Sequence, residues 1–253
     1  AVRQALKNRS KQSFRRSLRT LVEYGEHYSK GPFQSNFFLV VQQMLRDENH
    51  PYYLLAERAW AQVDSRYLQH FCLNMGYESW TRGAATIRAL ESELGCNIPW
   101  ILTIVRSRPT GPVLSEEAIR ALMTQGMAMG IYAYLLVDCQ LDTALVRRLS
   151  TDYSTCALTV MALDSQLTED ALNALEGTDN VALFAVQDSE AFTSTPLLLA
   201  HKRLYGLCTF YSTAEDAEAI CSGKVLACDD DTTCMLRVFM PKQGCPADIR
   251  DKV

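Results

Sequence analysis

Histidine is scarce in this chain. There are four in 253 residues, His27, His50, His70 and His201, and all of them fall in predicted helices or at helix starts. No Ser–His–Asp arrangement can be built from them. No glycine-rich phosphate loop occurs, and Gly111-Pro112 does not form one. The nine cysteines are odd in number and scattered, which points to reduced thiols in a cytoplasmic protein rather than a disulfide framework. No apolar run approaches the roughly 20 residues of a membrane-spanning helix. The N-terminus lacks the apolar core of a secretory signal. What remains is ordinary: 48% apolar and 21% charged residues, a composition for a globular fold of one large or two small domains.

Charge is unevenly placed. Arg3, Lys7, Arg9, Lys11, Arg15, Arg16 and Arg19 precede the first acid, Glu23, so residues 1–19 carry +7 of a net charge of −4 and the remainder carries −11. Val2, Leu6, Phe14, Leu18, Leu21 and Val22 lie on roughly one face at helical spacing. Such a helix can bind anionic membrane or nucleic acid. The favoured reading is a helix packed through its apolar face, or one docked on the acidic body of its own chain.

Two regions follow. Residues 1–97 read as an all-helical N-terminal region. Gly31 and Pro32 precede a helix carrying Phe33, Phe37, Val40, Val41 and Met44, and Pro51 opens a helix with Leu54, Leu55, Ala59 and Val63 on one side. Asp64 is the expected N-cap of a helix through Leu68 and Phe71 to Met75, with Gly76 as its stop. A further helix covers 82–94 and ends at Gly95. From Ile98 the period changes. Residues 100–105, 131–137, 156–163, 181–186, 207–211 and 235–240 read as strands. Helices are expected at 115–129, 142–150, 168–176, 190–204 and 214–222. Near-continuous apolar strands separated by helices indicate a parallel sheet covered by helices, so residues 98–253 are expected to form an α/β, partial (βα)6 TIM-like barrel. A small internal echo supports repeated units: Asp138-Cys139-Gln140-Leu141-Asp142 follows the second strand and Asp164-Ser165-Gln166-Leu167-Thr168 the third, each ending in a good N-cap residue.

Several short segments resemble a group of bacterial radical SAM proteins. Asn49-His50-Pro51-Tyr52-Tyr53, Asn74-Met75-Gly76-Tyr77, Ile98-Pro99-Trp100, Leu114-Ser115, Gln125-Gly126 and Gly130-Ile131-Tyr132-Ala133-Tyr134 stand in that group's order. The resemblance runs from about residue 20 to residue 244 and implies a helical region ahead of a (βα)6 partial barrel. The departures fall on the site. The family carries Cys-x3-Cys-x2-Cys after its first strand, whose thiolates hold a [4Fe–4S] cluster. Here that loop reads Arg106-Ser107-Arg108-Pro109-Thr110-Gly111-Pro112-Val113. The family's Gly-Gly-Glu-Pro turn is replaced by Asp138-Cys139-Gln140-Leu141, without the glycines that allow close backbone approach. Where the family often has Thr-Asn-Gly, this chain has Ala162-Leu163-Asp164, and the next loop lacks the family's Arg-rich segment. The resemblance therefore implies a cluster-less pseudoenzyme with no cofactor.

Polar groups do occur at the strand ends: Arg106, Arg108, Asp138, Asp164, Asp188, Ser189, Ser212 and Lys242. Arg106, Arg108, Asp138, Asp164, Asp188 and Lys242 are the candidate ligand pocket. Three aspartates at equivalent positions can bind a cation or basic ligand, but Asp after a strand more often makes a turn or caps a helix. Cys228, Cys234 and Cys245 lack the close pairs of a zinc site, and Asp229-Asp230-Asp231 lacks the remaining positions of a calcium loop. No metal is expected. Phe37, Phe38, Tyr52, Tyr53, Trp60 and Trp80 concentrate in the helical region, mostly as core, with a few available for a partner. The sequence thus favours a non-catalytic subunit that binds a protein partner, such as an active relative or its substrate, or a small ligand. The alternatives are an enzyme using Asp138, Asp164 and Asp188 at the barrel mouth, and a basic N-terminal helix acting on membrane or nucleic acid.

Overall fold

The computed structural model describes residues 11–108, 110–225 and 234–253. Arg3, Lys7, Arg9, Val2 and Leu6 of the basic N-terminal segment, Pro109, and Cys228 with Asp229, Asp230 and Asp231 lie outside the described residues.

The first region is helical: α1 (Lys11–His27), α2 (Pro32–Met44), α3 (Pro51–Gln62), α4 (Ser65–Leu73), a π-helical stretch (Asn74–Gly83) and α5 (Ala84–Leu94). Phe14, Leu18, Leu21 and Val22 of α1 are half-buried, and Phe14 meets Trp60 of α3 with ring centroids 5.3 Å apart. Two cations of α1, Arg15 and Arg19, turn to the chain's own acids and carbonyls, while Arg16 is exposed. Arg15 reaches Glu57 at 2.6 Å and the backbone oxygen of Glu48 at 2.8 Å, while Arg19 reaches Glu48 at 3.3 Å and the Tyr53 hydroxyl at 3.2 Å. The described part of the basic helix is therefore docked on its own chain. Three of the four apolar positions expected on α3 face inward, with Val63 buried and Leu55 and Ala59 half-buried, but Leu54 is 50% exposed, and a further buried anchor is Tyr53, whose hydroxyl donates to Leu45 O at 2.7 Å.

Asp64 caps α4 as its sequence suggests, accepting from the N–H groups of Arg66 and Tyr67. Gly76, however, does not stop the helix. The chain continues through it in a wider π-helical turn to Gly83. Side chains hold that stretch where local propensity would release it. Asn74, buried, donates to Ser154 O and Cys156 O at 2.7 and 3.0 Å, and Glu78 pairs with Arg82 at 2.8 Å. Arg82 in turn donates to the Tyr132 hydroxyl at 2.5 Å. Gly83 packs so tightly against the backbone of Gly130 that a Cβ there would collide with the Gly130 oxygen. Gly95, in the left-handed region at φ 68°, ends α5.

The second region alternates β1 (Ile101–Ser107), α6 (Glu116–Ala128), β2 (Ala133–Asp138), α7 (Thr143–Asp152), β3 (Ala157–Leu163), α8 (Glu169–Ala174), β4 (Val181–Val186), α9 (Thr195–Ala200), β5 (Tyr205–Tyr211), α10 (Ala214–Cys221), β6 (Cys234–Pro241) and α11 (Ala247–Arg250). All six strands are parallel, in the order in which they occur in the chain. They fall close to their sequence-predicted positions. α9 is much shorter than the expected 190–204, because Asp164 fixes the turn at Thr193 and Ser194 immediately before it and Pro196 suits its first turn.

Strand register sorts every strand residue onto one of two faces. The first carries Ile104, Tyr134, Leu136, Leu158, Val160, Leu183, Ala185 and Leu207 in register. These join Ile119, Met123, Leu145, Leu149, Leu172, Leu175 and Leu198 of the helices in one buried core, and the void left between Ile104, Ile119, Tyr134 and Val160 is only about 10 Å³. This is the helix-covered face. Among the described residues, helix packing on the second face is seen at its lower end, where Tyr67 and Phe71 of α4 pack with Ala157 and Ala182, while Cys208 in an upper row is buried among its neighbours.

Candidate functional site

The strand-end residues do not converge. Asp138 is fully buried on the helix-covered side, and its carboxylate is saturated from within. Arg106 Nη1 donates to both its oxygens at 2.9 and 3.0 Å, the Ser107 hydroxyl donates to Oδ1, and the backbone N–H groups of Gln140 and Asp142 donate at 3.3 and 2.9 Å. Burial pushes the Asp138 carboxyl up, but these hydrogen bonds, from Ser107, the Asp142 N–H and Arg106, outweigh it and hold the group below the usual carboxylate range. Arg106 also reaches Asp142 at 3.1 Å through Nη2, and Asp142 caps α7 by accepting from Leu145 N at 2.9 Å. The whole cluster ties β1, β2 and the start of α7 together.

Asp164, also buried, serves the neighbouring unit. Its Oδ2 accepts from Thr193 N and Oγ1 at 2.6 and 2.7 Å, and its Oδ1 from Ser194 N and Oγ at 3.1 and 2.5 Å. Asp188 is exposed and accepts from Ser165 N at 3.3 Å and from the Ser165 hydroxyl. Arg108 and Lys242 are exposed at the ends of β1 and β6, and the Lys242 N–H donates to Tyr211 O at 2.8 Å. Ser189 Oγ donates to Ala191 O at 2.7 Å, and Ser212 N donates to Asp216 Oδ2 at 2.9 Å. Arg106 and Asp138 are thus brought together, Asp164 and Asp188 are built into separate turns, and no three of the candidate acids share a space. Among the described residues no group of three or more His, Cys, Asp or Glu side chains is placed to hold a metal ion.

The internal echo has a structural counterpart. Leu141 N donates to Asp138 O at 3.2 Å and Leu167 N to Asp164 O at 3.1 Å, and both leucines are buried. Asp142 and Thr168 then cap α7 and α8. Each unit uses a buried Asp to shape a turn that inserts a leucine beneath the sheet.

The histidines act locally: His50 caps α3, His70 meets Ser154 O at 3.1 Å, and His201 meets Glu169 at 3.2 Å. A polar groove of about 490 Å³ runs between Asp64, Glu169, Glu176, Asp179, Lys202 and Arg203. It lies at the N-terminal ends of the strands, and several of its charges are already engaged: Asp179 with Arg66 at 3.0 Å, Glu169 with His201 at 3.2 Å, Asp64 as the cap of α4 and Arg203 with backbone carbonyls.

The feature that the strand-end residues did not reveal is the second face of the sheet. Register aligns Val105, Val137, Met161, Phe184, Gly206 and Leu236 in one row across all six strands. Above it stand Leu163, Val186, Cys208 and Val238, and above those Phe210 and Met240. The Phe184 ring lies directly over Gly206, in space that any Cβ would occupy. No charged residue stands in these rows. Val105 is 41% exposed, Phe210 38% and Leu236 55%. One signal in the sequence points here: the strands are apolar at both parities, which suits a sheet buried on both sides. Helices alone would account for that pattern if they covered both faces, whereas the helices of the second region cover one.

No helix among the described residues is long and apolar enough to cross a membrane. No protein-family model matches the chain, and neither a curated protein nor a solved structure is significantly similar to it.

Proposed function

We propose that this protein is a non-catalytic binding protein, a cluster-less relative of radical SAM enzymes in which the six strand–helix units form a partial (βα)6 barrel. The second face of its sheet would receive an apolar segment of a protein partner. The observation that carries this reading is the uncharged row from Val105 to Leu236, with partly exposed side chains above it. Six strands at ~4.8 Å spacing make the row roughly 24 Å wide. That is a surface for a polypeptide segment rather than a pocket for a small molecule. An apolar surface of this breadth is uncommon on a protein that acts alone.

The non-catalytic part of the reading rests on the loops. The loop after β1 holds no cysteine. The buried carboxylates Asp138 and Asp164 are each occupied by four donors, from the end of β1 and the turn after β2 for Asp138 and from the turn at Thr193 and Ser194 for Asp164. A carboxylate whose lone pairs are so committed has little left to offer a substrate or a metal ion.

Affinity capture from the native host, using the wild-type chain and Met161→Lys side by side, tests the surface. A partner held by wild type and lost with Met161→Lys is expected. A wild-type chain that retains nothing, or a partner that both chains hold equally, overturns the assignment of this face. Anaerobic incubation with ferrous iron and sulfide tests the other half: a brown, iron-loaded protein would sink the cluster-less reading.

A further inference from the structure

β6 is the last strand of the sheet, and its outer edge meets no other strand among the described residues. None of its eight residues is buried, whereas five of the seven residues of its neighbour β5 are. Natural edge strands are usually shielded by charge, by proline or by a covering element. β6 reads Cys-Met-Leu-Arg-Val-Phe-Met-Pro, with one charge and with Leu236 at 55% and Met240 at 39% exposure.

The direction of its backbone groups is fixed. Lys242 N donates to Tyr211 O at 2.8 Å, so the N–H groups of Met240 and Val238 also turn towards β5, and that of Phe239 turns outward. Pro241 occupies an outward position, where the absence of an N–H costs the β5 ladder nothing.

We propose that β6 is a self-association edge: two copies of this chain pair their β6 strands antiparallel about a two-fold axis through Val238. An extended backbone is the partner that satisfies an outward row of N–H and C=O groups, and a two-fold axis normal to the sheet keeps like faces together. The register this gives is self-complementary. Val238 faces Val238 of the second copy across the axis at a non-hydrogen-bonded pair. Leu236 faces Met240 of the second copy on the apolar face. Arg237, which already stacks on Phe192 and Phe239 at 5.6 and 5.8 Å, faces Phe239 of the second copy. Phe239 N–H donates to Arg237 O of the second copy. No like charges oppose one another along the strand. The apolar rows of the two sheets join into one surface, although the pairing stands whether or not that surface binds a partner.

Sedimentation velocity of the full chain from about 1 to 200 µM tests this, the range suited to a seam this small. A concentration-dependent species of twice the 28.4 kDa chain mass is expected. Val238→Lys and Val238→Asp each place like charges across the axis and should sediment as monomers. An equimolar mixture of the two should recover the dimer. Leu236→Lys, at an exposed position that cannot unsettle the core, should weaken the dimer at least tenfold. A wild-type chain that stays monomeric throughout, Val238 variants that dimerise as wild type does, or a Lys–Asp mixture that remains monomeric would each overturn the proposal.

Discussion

Replacing Asp138 by asparagine removes a charge that the fold has enclosed completely. Both carboxylate oxygens accept from Arg106 Nη1, at 2.9 and 3.0 Å, and the group also accepts from Ser107, Gln140 and Asp142. An amide keeps one acceptor oxygen and turns an NH2 group towards donors. Arg106 keeps Asp142 at 3.1 Å, so its charge is not wholly abandoned. The loss should therefore fall somewhat below that of a broken isolated buried pair, at about 2–4 kcal/mol. For a chain of 253 residues that is a fall in Tm of roughly 5–15 °C. The pH dependence gives a sharper signature. The folded pKa of Asp138 lies below its ordinary 3.8. Its contribution is therefore complete above that value and is lost as pH falls through the folded pKa, because the unfolded chain takes up the proton first. Urea unfolding of wild type and Asp138→Asn should differ most at neutral pH and converge below about pH 4. A difference under about 1 kcal/mol at pH 7, or one that persists unchanged into acid, refutes the picture of Asp138 as a committed structural anion.

Asp164→Ala strips four donors of their acceptor at the start of α9 and should cost about 2–3 kcal/mol in urea unfolding, with a loss below about 0.5 kcal/mol counting against the cap. Gly83→Ala drives a Cβ into the Gly130 backbone oxygen and should lower stability by about 1–3 kcal/mol; an unchanged melt would show that the π-helical stretch is not seated as described. Cys156 and Cys208 are buried, and burial pushes their thiols up to about 12 and about 11, so in native protein at about pH 8 mass spectrometry should find them unalkylated by iodoacetamide while Cys96 and Cys221 react. Labelling of Cys208 at the rate of Cys96 would mean that its in-register neighbours Val186 and Val238 do not enclose the thiol.

The cadence of the second region is legible because its signals are local. Apolar runs about 25–30 residues apart mark the strands, and Ser115, Asp142 and Thr168 cap their helices as their side chains suggest. Misreadings occur where distant contacts override local preference. Gly76 should end a helix, yet Asn74 holds the chain against Ser154 and Cys156, some eighty residues away, and the helix carries on. Tyr53 rather than Leu54 faces inward on α3 because its hydroxyl finds Leu45 O and its ring lies under Arg15, 5.1 Å from the guanidinium carbon. Ser154, Cys156 and Arg15 lie far outside any sequence window around these positions, and Leu45, only eight residues from Tyr53, becomes a partner only through the way α2 and α3 pack. The candidate site illustrates the same limit. The aspartates do stand at strand ends, but whether a strand-end carboxylate faces a cavity or a turn depends on what the next unit offers, and Thr193 and Ser194 lie some thirty residues beyond Asp164.

The two faces of the sheet divide the polar from the apolar work of the chain. On the helix-covered side the strand ends spend their charges on holding turns: Arg106 with Asp138 and Asp142, Asp164 with Thr193 and Ser194. A site for reaction needs the reverse, polar groups left under-committed and directed at a space that substrate can enter. The second face offers space without such groups, since its rows run Val, Val, Met, Phe, Gly and Leu across the strands. Met161→Lys separates the consequences. At a half-buried position on a face with no helix above its upper rows among the described residues, a lysine can extend into solvent, so stability should change by less than about 1 kcal/mol. Binding of a hydrophobic dye such as anilinonaphthalene sulfonate to the native protein should fall markedly in the same variant. If instead Met161→Lys unfolds the chain, Met161 is enclosed rather than displayed, the rows around it belong to a closed core, and the binding surface must be sought elsewhere.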